Sequence, residues 1–430
     1  MEADEQLDPP ANLFARLRQI AGYTWDDSKP LLHSSYDNWH CWGNRWASAI
    51  SSPSPNAATS SAALAKLLPS SNRPSPSEPV ASAAQSEENS EISATSPPVT
   101  AGNDGGLVEE PVVARVSYHV LREERAFQTT KSLISTSDPK GDHIVKPIDL
   151  IRLAPQPGDR GPIIVAIYQF PGPNYMDKVI DMGPAHYWSH RVDEKWIPDV
   201  NEDRQLDAPI SLQNFLDFAI GATQCLELIH HGQGIIHGEV RGDAFHFNVE
   251  TNKVKLISFG SGLRSFEHGL TSTGWSSLSK ELGAKNKLLY ISPEQTGRMP
   301  AEPDSRTDIY SLGVLFWVML TQQPVFEGDN PLDIVQGVLG RRIPNVASIR
   351  LDVPDVLGRI IQKCTSKNVS DRYHSASGLR HDLVKVQQFL GDGDWLALKE
   401  WQIASKDVSS FFMLPTMMIG REQERADLLK

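Results

Sequence analysis

The sequence predicts an α+β fold, with strands in the first part of the globular region and helices in the second. Three short apolar runs, at residues 111–116, 143–151 and 162–170, are bounded by turn-forming residues and are typical of strands. From residue 212 to residue 231 the apolar residues recur at helical spacing, and a second apolar helix is predicted to end at Leu320. Strands followed by helices favour the α+β class.

Composition narrows the class of protein. The chain has 430 residues, enough for two domains or for one large domain with extra segments. Hydrophobic residues make up 40% and charged residues 22%, which describes a soluble globular protein. The net charge of −12 disfavours non-specific binding to nucleic acid, because such binding needs a concentrated basic surface.

The spacing of the cysteines and the charge of the first residues indicate the cellular compartment of the protein. Cys41, Cys225 and Cys364 lie far apart, which argues against a disulfide scaffold or a zinc site and favours a reducing environment. The first residues are acidic, unlike a signal peptide, and the longest apolar run, 312–320, is too short to cross a bilayer. We therefore expect a cytoplasmic protein with no nucleic-acid or membrane partner.

Two segments precede the predicted main domain. Residues 1–50 contain helical spacing over 11–21 and four tryptophans, Trp25, Trp39, Trp42 and Trp46, which need apolar partners. This Trp-rich segment is either a docking arm or a flap packed on the main domain. From residue 51 to residue 100 there are 14 serines, 8 prolines and no aromatic residue, so we predict a disordered linker over 51–107.

Motifs near the middle of the chain carry the chemistry. The run His237-Gly238-Glu239-Val240-Arg241-Gly242-Asp243-Ala244 is followed, after the apolar strand 254–257, by Ser258-Phe259-Gly260. Ser292-Pro293-Glu294, a helix containing Asp308, and Asp371-Arg372 come later, in that order. This series resembles the protein kinases, in which H-R-D-L-K-x-x-N, D-F-G and A-P-E occur at similar separations.

The resemblance implies a bilobal protein-kinase-like fold, with a small β-rich lobe at 108–170, a hinge insertion at 171–209 and a large helical lobe at 210–390. Ser211 is the expected N-cap of the first helix of the large lobe. The insertion is Pro-rich and is predicted to be irregular. The resemblance also implies structural roles for His237, Phe259, Gly260, Glu294, Asp308 and Arg372, and it pairs Glu294 with Arg372.

Several catalytic positions of that family are replaced. Arg115 stands where the ATP-binding Lys is expected, and Glu239 stands where the catalytic Asp is expected. The two metal-binding positions hold Ala244 and Ser258, so no metal ligand is predicted there, although Asp243 lies close in sequence.

The small lobe departs from the family pattern as well. Thr129-Thr130 occupies the place of the Glu that pairs with the Lys, and Glu123 and Glu124 are expected to face solvent. No glycine-rich phosphate loop precedes Arg115, since Gly102, Gly105 and Gly106 lie too close to it to leave room for two strands.

These replacements predict a catalytically impaired domain that regulates or docks other domains or protein partners. ATP binding is implied by the resemblance but disfavoured by the lost groups, and Mg²⁺ binding is not expected. The alternative is a divergent Ser/Thr kinase that binds ATP and uses Glu239. The run 290–299 and the residues around Asp308 and Arg372 most resemble the kinase-like N-terminal regions of fungal hybrid histidine kinases, which implies two-component signalling. Residues 391–430 would then connect to a P-loop ATPase region.

Overall fold

A computed structural model describes residues 9–29, 31–34, 38–48, 107–172, 188–192, 195–198, 210–248, 250–259, 288–326, 328 and 331–408. The chain divides into two units, residues 1–45 with 110–430, and residues 46–109. The predicted disordered linker, apart from Leu107, lies outside the described residues.

One sheet forms the β-rich lobe, and its strand pairs of described register are antiparallel. Its strands are β1 (Tyr23–Trp25), β2 (Leu32–Ser34), β3 (Asn38–Ser48), β4 (Leu107–Ser117), β5 (Pro147–Leu153), β6 (Ile163–Gln169), β7 (Trp188–Val192) and β8 (Lys195–Pro198). Among the described strands the order is β5-β6-β4-β3-β2-β7-β8, with β1 paired to β3. The same lobe contains helix α1 (Leu13–Leu17) and helix α2 (Val120–Thr136).

The Trp-rich segment supplies β1, β2 and β3, so the sheet extends beyond the boundary predicted at residue 108. Trp25 and Trp39 are buried in one apolar cluster with residues of β4 and β6 such as Ala114 and Ile167. The indole N–H of Trp25 donates a hydrogen bond to the carbonyl of Leu17 at 2.9 Å. Large aromatic rings find apolar cover most readily inside the same chain, and here the sheet provides it.

Other elements of this lobe also differ from the sequence predictions. The helix expected over 11–21 is reduced to α1. The strand expected over 143–151 begins at Pro147, because Val145 donates its backbone N–H to Leu256 of the helical lobe at 3.0 Å. The insertion 171–209, predicted to be irregular, contains the β7–β8 hairpin, and β7 pairs with β2.

The helical lobe follows the predicted order. It contains α3 (Leu212–Gln233), the hairpin of β9 (Phe245–Asn248) with β10 (Lys253–Leu256), α4 (Ser305–Thr321), α5 (Pro331–Gly340), α6 (Asp355–Cys364), α7 (Ala376–Asp392) and α8 (Trp395–Glu400). The Ser211 hydroxyl accepts the backbone N–H of Asn214, which confirms the predicted N-cap of α3. Residues 307–320 of α4 are all buried, so α4 is the centre of this lobe. No helix in the described ranges has the length and apolar character needed to traverse a lipid bilayer.

The start of the predicted connector packs onto the helical lobe. The buried carboxylate of Asp382 on α7 accepts hydrogen bonds from the Tyr373 hydroxyl at 2.6 Å, the Trp401 indole at 3.3 Å and the Ala404 backbone at 2.6 Å. Residues 395–408 are therefore fastened to α7, and residues 409–430 lie outside the described part of the chain.

Candidate functional site

The buried carboxylate of Asp308 holds the loop that carries Glu239. Asp308, near the start of α4, accepts the backbone N–H of His237 and that of Gly238, each at 2.8 Å. The imidazole of His230, at the end of α3, lies 2.8 Å from the same carboxylate. Gly238 adopts φ +76°, a left-handed conformation that glycine accommodates without strain. Asp308 thus fixes the path of the loop through two backbone hydrogen bonds.

His237 connects this loop to the Ser258-Phe259 segment. Its Nε2 lies 2.7 Å from the Ser258 carbonyl, its Nδ1 accepts the Glu239 backbone N–H at 3.3 Å, and its ring stacks on Phe259. Burial lowers the pKa of His237, so the ring is neutral near pH 7 and donates through Nε2. A neutral ring with both nitrogens engaged is a positioning group. Gly260, which was predicted to have a structural role, lies outside the described residues.

The two replaced metal positions lie side by side. The Ala244 carbonyl accepts the backbone N–H of Ile257 at 2.8 Å and that of Ser258 at 3.4 Å. Both Ala244 and Ser258 are buried. Mg²⁺ is bound in proteins chiefly through carboxylates and substrate phosphates, and this pair offers a methyl group and a hydroxymethyl group. The side chains at the two positions therefore do not fit the ion.

Asp243, the carboxylate closest in sequence to this pair, lies beside an arginine of its own loop. Its carboxylate is buried, and its Oδ1 lies 3.4 Å from Nε of Arg241, which is itself buried. Its negative charge is thus balanced by a neighbour in its own loop. Glu239 is only partly buried, and the cavity that it lines measures about 10 Å³, room for a single water at most.

Arg115 is buried inside the sheet lobe and does not lie at an exposed strand edge. It sits on β4 opposite Ala166 of β6, with 3% of its surface exposed. Its guanidinium carbon lies 4.4 Å from the centre of the Tyr168 ring. A desolvated cation over an aromatic face gains about 2 kcal/mol. The charge of Arg115 is therefore in contact with the Tyr168 ring. The sequence alone did not indicate that Tyr168 is the partner of Arg115.

The prediction that Glu123 faces solvent is wrong. Its carboxylate is buried, and Oε1 accepts a hydrogen bond from Nδ2 of Asn38 at 3.4 Å. Asn38 starts β3, which the sequence prediction had placed outside the lobe. Glu124 is half-buried and pairs with Arg152. The Thr130 hydroxyl, at the place of the expected Glu, is buried and donates to the Ala126 carbonyl at 2.6 Å.

The strands expected before Arg115 come from the Trp-rich segment. Strands β2 and β3 form an antiparallel pair and precede β4 in the chain. In the family that the chain resembles, the phosphate loop connects two such strands. The corresponding connection, residues 35–37, lies outside the described residues, and its sequence Ser-Tyr-Asp contains no glycine.

An ion pair fastens the Ser292-Pro293-Glu294 segment to the end of the lobe. Arg372 donates to both carboxylate oxygens of Glu294, at 2.7 Å each, and Thr307 donates to the same carboxylate at 2.8 Å. Burial by itself would raise the pKa of Glu294, but the hydrogen bonds and charge of Arg372 outweigh it and hold the pKa below its usual value. The structure thus brings together the two residues that the resemblance pairs.

A neighbouring residue that the sequence did not single out ties this segment to the Glu239 loop. The side-chain amide of Gln295 donates to the Gly238 carbonyl at 2.7 Å, and its oxygen accepts the Ser292 backbone N–H at 2.9 Å. We call Asp308, Glu294, Arg372 and Gln295 the polar frame. These residues fix the backbone of the Glu239 loop and of the Ser292-Pro293-Glu294 segment.

Comparison with known proteins supports the lobe assignment. Residues 203–384 match the family model described as protein kinase domain. The chain is 34% identical over 223 residues to the peroxide stress-activated histidine kinase mak2 of Schizosaccharomyces pombe, which covers 52% of this chain and 8% of that protein. It is 33% identical over 210 residues to mak3 of the same yeast, covering 49% of this chain and 9% of mak3.

A bacterial relative is similar over a shorter stretch. The serine/threonine-protein kinase PknB of Mycolicibacterium smegmatis is 31% identical over 183 residues, which is 42% of this chain and 28% of PknB. The chain therefore spans a small fraction of each of these relatives. The matched part of the chain is therefore similar to the protein kinase domain family and to proteins named protein kinases and histidine kinases.

Proposed function

We propose that the two lobes form a catalytically impaired kinase domain that serves as a regulatory or docking module. The observation that carries the proposal is the contact between Ala244 and Ser258. The two metal positions are adjacent, as a working site requires, yet neither side chain offers a carboxylate. The polar frame that holds the Glu239 loop is nevertheless present.

The replaced groups are among those on which the rate of phosphoryl transfer depends most strongly. Phosphoryl transfer depends mostly on charges that neutralise the moving phosphoryl group, and removing one such group typically costs about 10²–10³ in rate. Two metal-binding groups are replaced here, and Arg115 lies over Tyr168. Glu239 alone would supply a proton acceptor without the charge stabilisation that the reaction needs.

Thermal unfolding of the purified chain with ATP tests the proposal. A ligand at about 100 times its Kd stabilises a protein by about 2.7 kcal/mol, which a melting curve detects easily. We expect no stabilisation that depends on Mg²⁺. The variant with Ala244→Asn and Ser258→Asp restores both ligands and should gain such a dependence. Ser258→Asn, combined with Ala244→Asn, has the same size without the charge and is the matched control.

The second candidate is a divergent Ser/Thr kinase that transfers phosphate from ATP by way of Glu239. It is favoured by the partial exposure of Glu239 beside an ordered loop. Autophosphorylation by the wild-type chain that disappears in Glu239→Gln would support it. Absence of labelled product at high enzyme concentration, with a known kinase as the positive control, would exclude it.

We also propose that the module acts within two-component signalling, on other domains of the same protein or on a protein partner. The support is the similarity to proteins named histidine kinases. Adding the purified chain to a recombinant histidine kinase core, and following autophosphorylation of that core, tests the regulatory role. A rate that stays constant over a wide range of chain concentrations would contradict it.

A further inference from the structure

A cavity of about 510 Å³ opens in the helical lobe and shares no lining residue with the small cavity beside Glu239. Its walls are the chain that follows α5, the last turn of α6 and the loop 365–371. Its volume falls in the range of small-molecule sites, about 300–1,000 Å³. The residues that matter for its chemistry are Arg342, Ile343, Lys363, Lys367 and Asp371.

Positive charge is concentrated in this cavity although the chain as a whole carries −12. Among its lining residues are three cations, Arg342, Lys363 and Lys367, and one acidic residue, Asp371. Arg342 is exposed, and within the described ranges its guanidinium makes no hydrogen bond or ion pair. A guanidinium offers five N–H donors in a planar fork that matches the oxygens of a phosphate.

The two lysines are held in place by neighbouring groups. Nζ of Lys363 donates to the Asp371 carbonyl at 3.1 Å and lies 5.5 Å from the Tyr373 ring centre. Nζ of Lys367 donates to the Val338 carbonyl at 2.6 Å and to the Tyr310 hydroxyl at 3.1 Å. Each ammonium has three hydrogens, so each retains a donor for a ligand. Side chains that are already ordered lose less entropy when a ligand binds.

We infer that this cavity binds a small organic phosphate, with the phosphate between Arg342 and Lys363 and the organic part against Ile343. Charge-assisted hydrogen bonds from these two side chains would hold the phosphate oxygens. The Asp371 carboxylate would accept a hydrogen bond from a hydroxyl of the organic part. The inference does not depend on whether the Ala244–Ser258 centre is catalytic, because the two sites share no residue.

Isothermal titration of the whole chain with glycerol 3-phosphate tests the inference, with glycerol and sodium sulfate titrated in parallel. We expect saturable binding of glycerol 3-phosphate, weaker binding of sulfate and none of glycerol. Arg342→Gln with Lys363→Gln should weaken binding about tenfold or more, since each removes a charged hydrogen bond.

The matched control is Arg341→Gln, because Arg341 is exposed, adjacent in sequence and not part of the cavity wall. It should bind as the wild type does. Should the double variant fail to fold, as a melting curve would reveal, Arg342→Gln alone decides, since Arg342 is exposed and its guanidinium has no hydrogen bond or ion pair to another described residue. Absence of saturable binding to the wild type, or an equal loss in Arg341→Gln, would overturn the inference.

Discussion

The buried charges of the helical lobe bind backbone segments, whereas those of the sheet lobe contact other side chains. In the helical lobe, Asp308 and the Glu294–Arg372 pair fix backbone segments, as the resemblance to protein kinases implies. In the sheet lobe, Arg115 lies over Tyr168 and Glu123 accepts a hydrogen bond from Asn38. The buried charges of the helical lobe therefore support the backbone. Arg115, at the position where protein kinases carry their ATP-binding Lys, instead contacts an aromatic ring of the same lobe.

The largest effect is expected from breaking the ion pair of the helical lobe. Arg372→Ala leaves the buried Glu294 carboxylate without its partner, and removing one side of such a pair costs about 3–5 kcal/mol. Chemical denaturation of wild type and variant measures the change. As control, Arg359→Ala removes a more exposed Arg–Asp pair and should cost less than about 1 kcal/mol. Equal losses in the two variants would contradict a special role for the buried pair.

The sheet lobe should be sensitive to the Trp-rich segment. Trp39 is buried in the cluster with β4 and β6, and truncating a buried tryptophan to alanine costs about 3–5 kcal/mol. Trp46 is 46% exposed, so Trp46→Ala should have a much smaller effect. Fluorescence-detected unfolding of the two variants compares them. A neutral result for Trp39→Ala would show that the segment is a dispensable flap.

These two expectations show what the sequence could predict. The helical lobe was predicted because its evidence is local: apolar periodicity over α3, a Ser N-cap, and motifs in a fixed order. The sheet lobe was predicted poorly because β3 and β4 pair across the linker, and no local pattern signals a pairing between such distant segments. Misplacing β3 had a direct consequence for Glu123, whose burial depends on Asn38. The pairing of Arg115 with Tyr168 was missed for the same reason, since it requires the register of β4 on β6.

A pH-dependent loss of stability is expected from His246 on β9. Burial first, and then the charge of Lys255, lower the pKa of His246 to about 4. In the unfolded chain, where the pKa of histidine is near 6.5, His246 binds a proton at pH values at which the folded chain leaves it neutral. The contribution of His246 to the free energy of unfolding is therefore fully present above pH 6.5 and is lost as the pH falls toward 4. Between pH 7.5 and pH 5 this amounts to about 2 kcal/mol.

His246→Gln cannot take up that proton, so denaturation at the two pH values should show a smaller decline than in wild type. His231→Gln, at an exposed position, is the control and should decline as wild type does. An identical decline in all three proteins would assign the pH dependence to other groups.

The smallest change in unfolding free energy is expected from a substitution at Ser258, one of the two replaced metal positions. Ser258 is buried, but its contacts to His237 and Ala244 use backbone atoms. Ser258→Ala should therefore change the unfolding free energy by less than about 1 kcal/mol, the typical net value of one hydrogen bond. It should also leave any ATP binding unchanged. A large loss of stability would mean that the hydroxyl supports the fold.

If the protein keeps the framework of a kinase centre without the groups that hold Mg²⁺, its affinity for ATP should not depend on that ion. Isothermal titration of the whole chain with ATP, once with excess Mg²⁺ and once with EDTA, measures this dependence. We expect the same affinity, or no binding, in both buffers. Binding of ATP about tenfold tighter with Mg²⁺, and lost when Glu239 or Asp243 is replaced by its amide, would contradict this expectation.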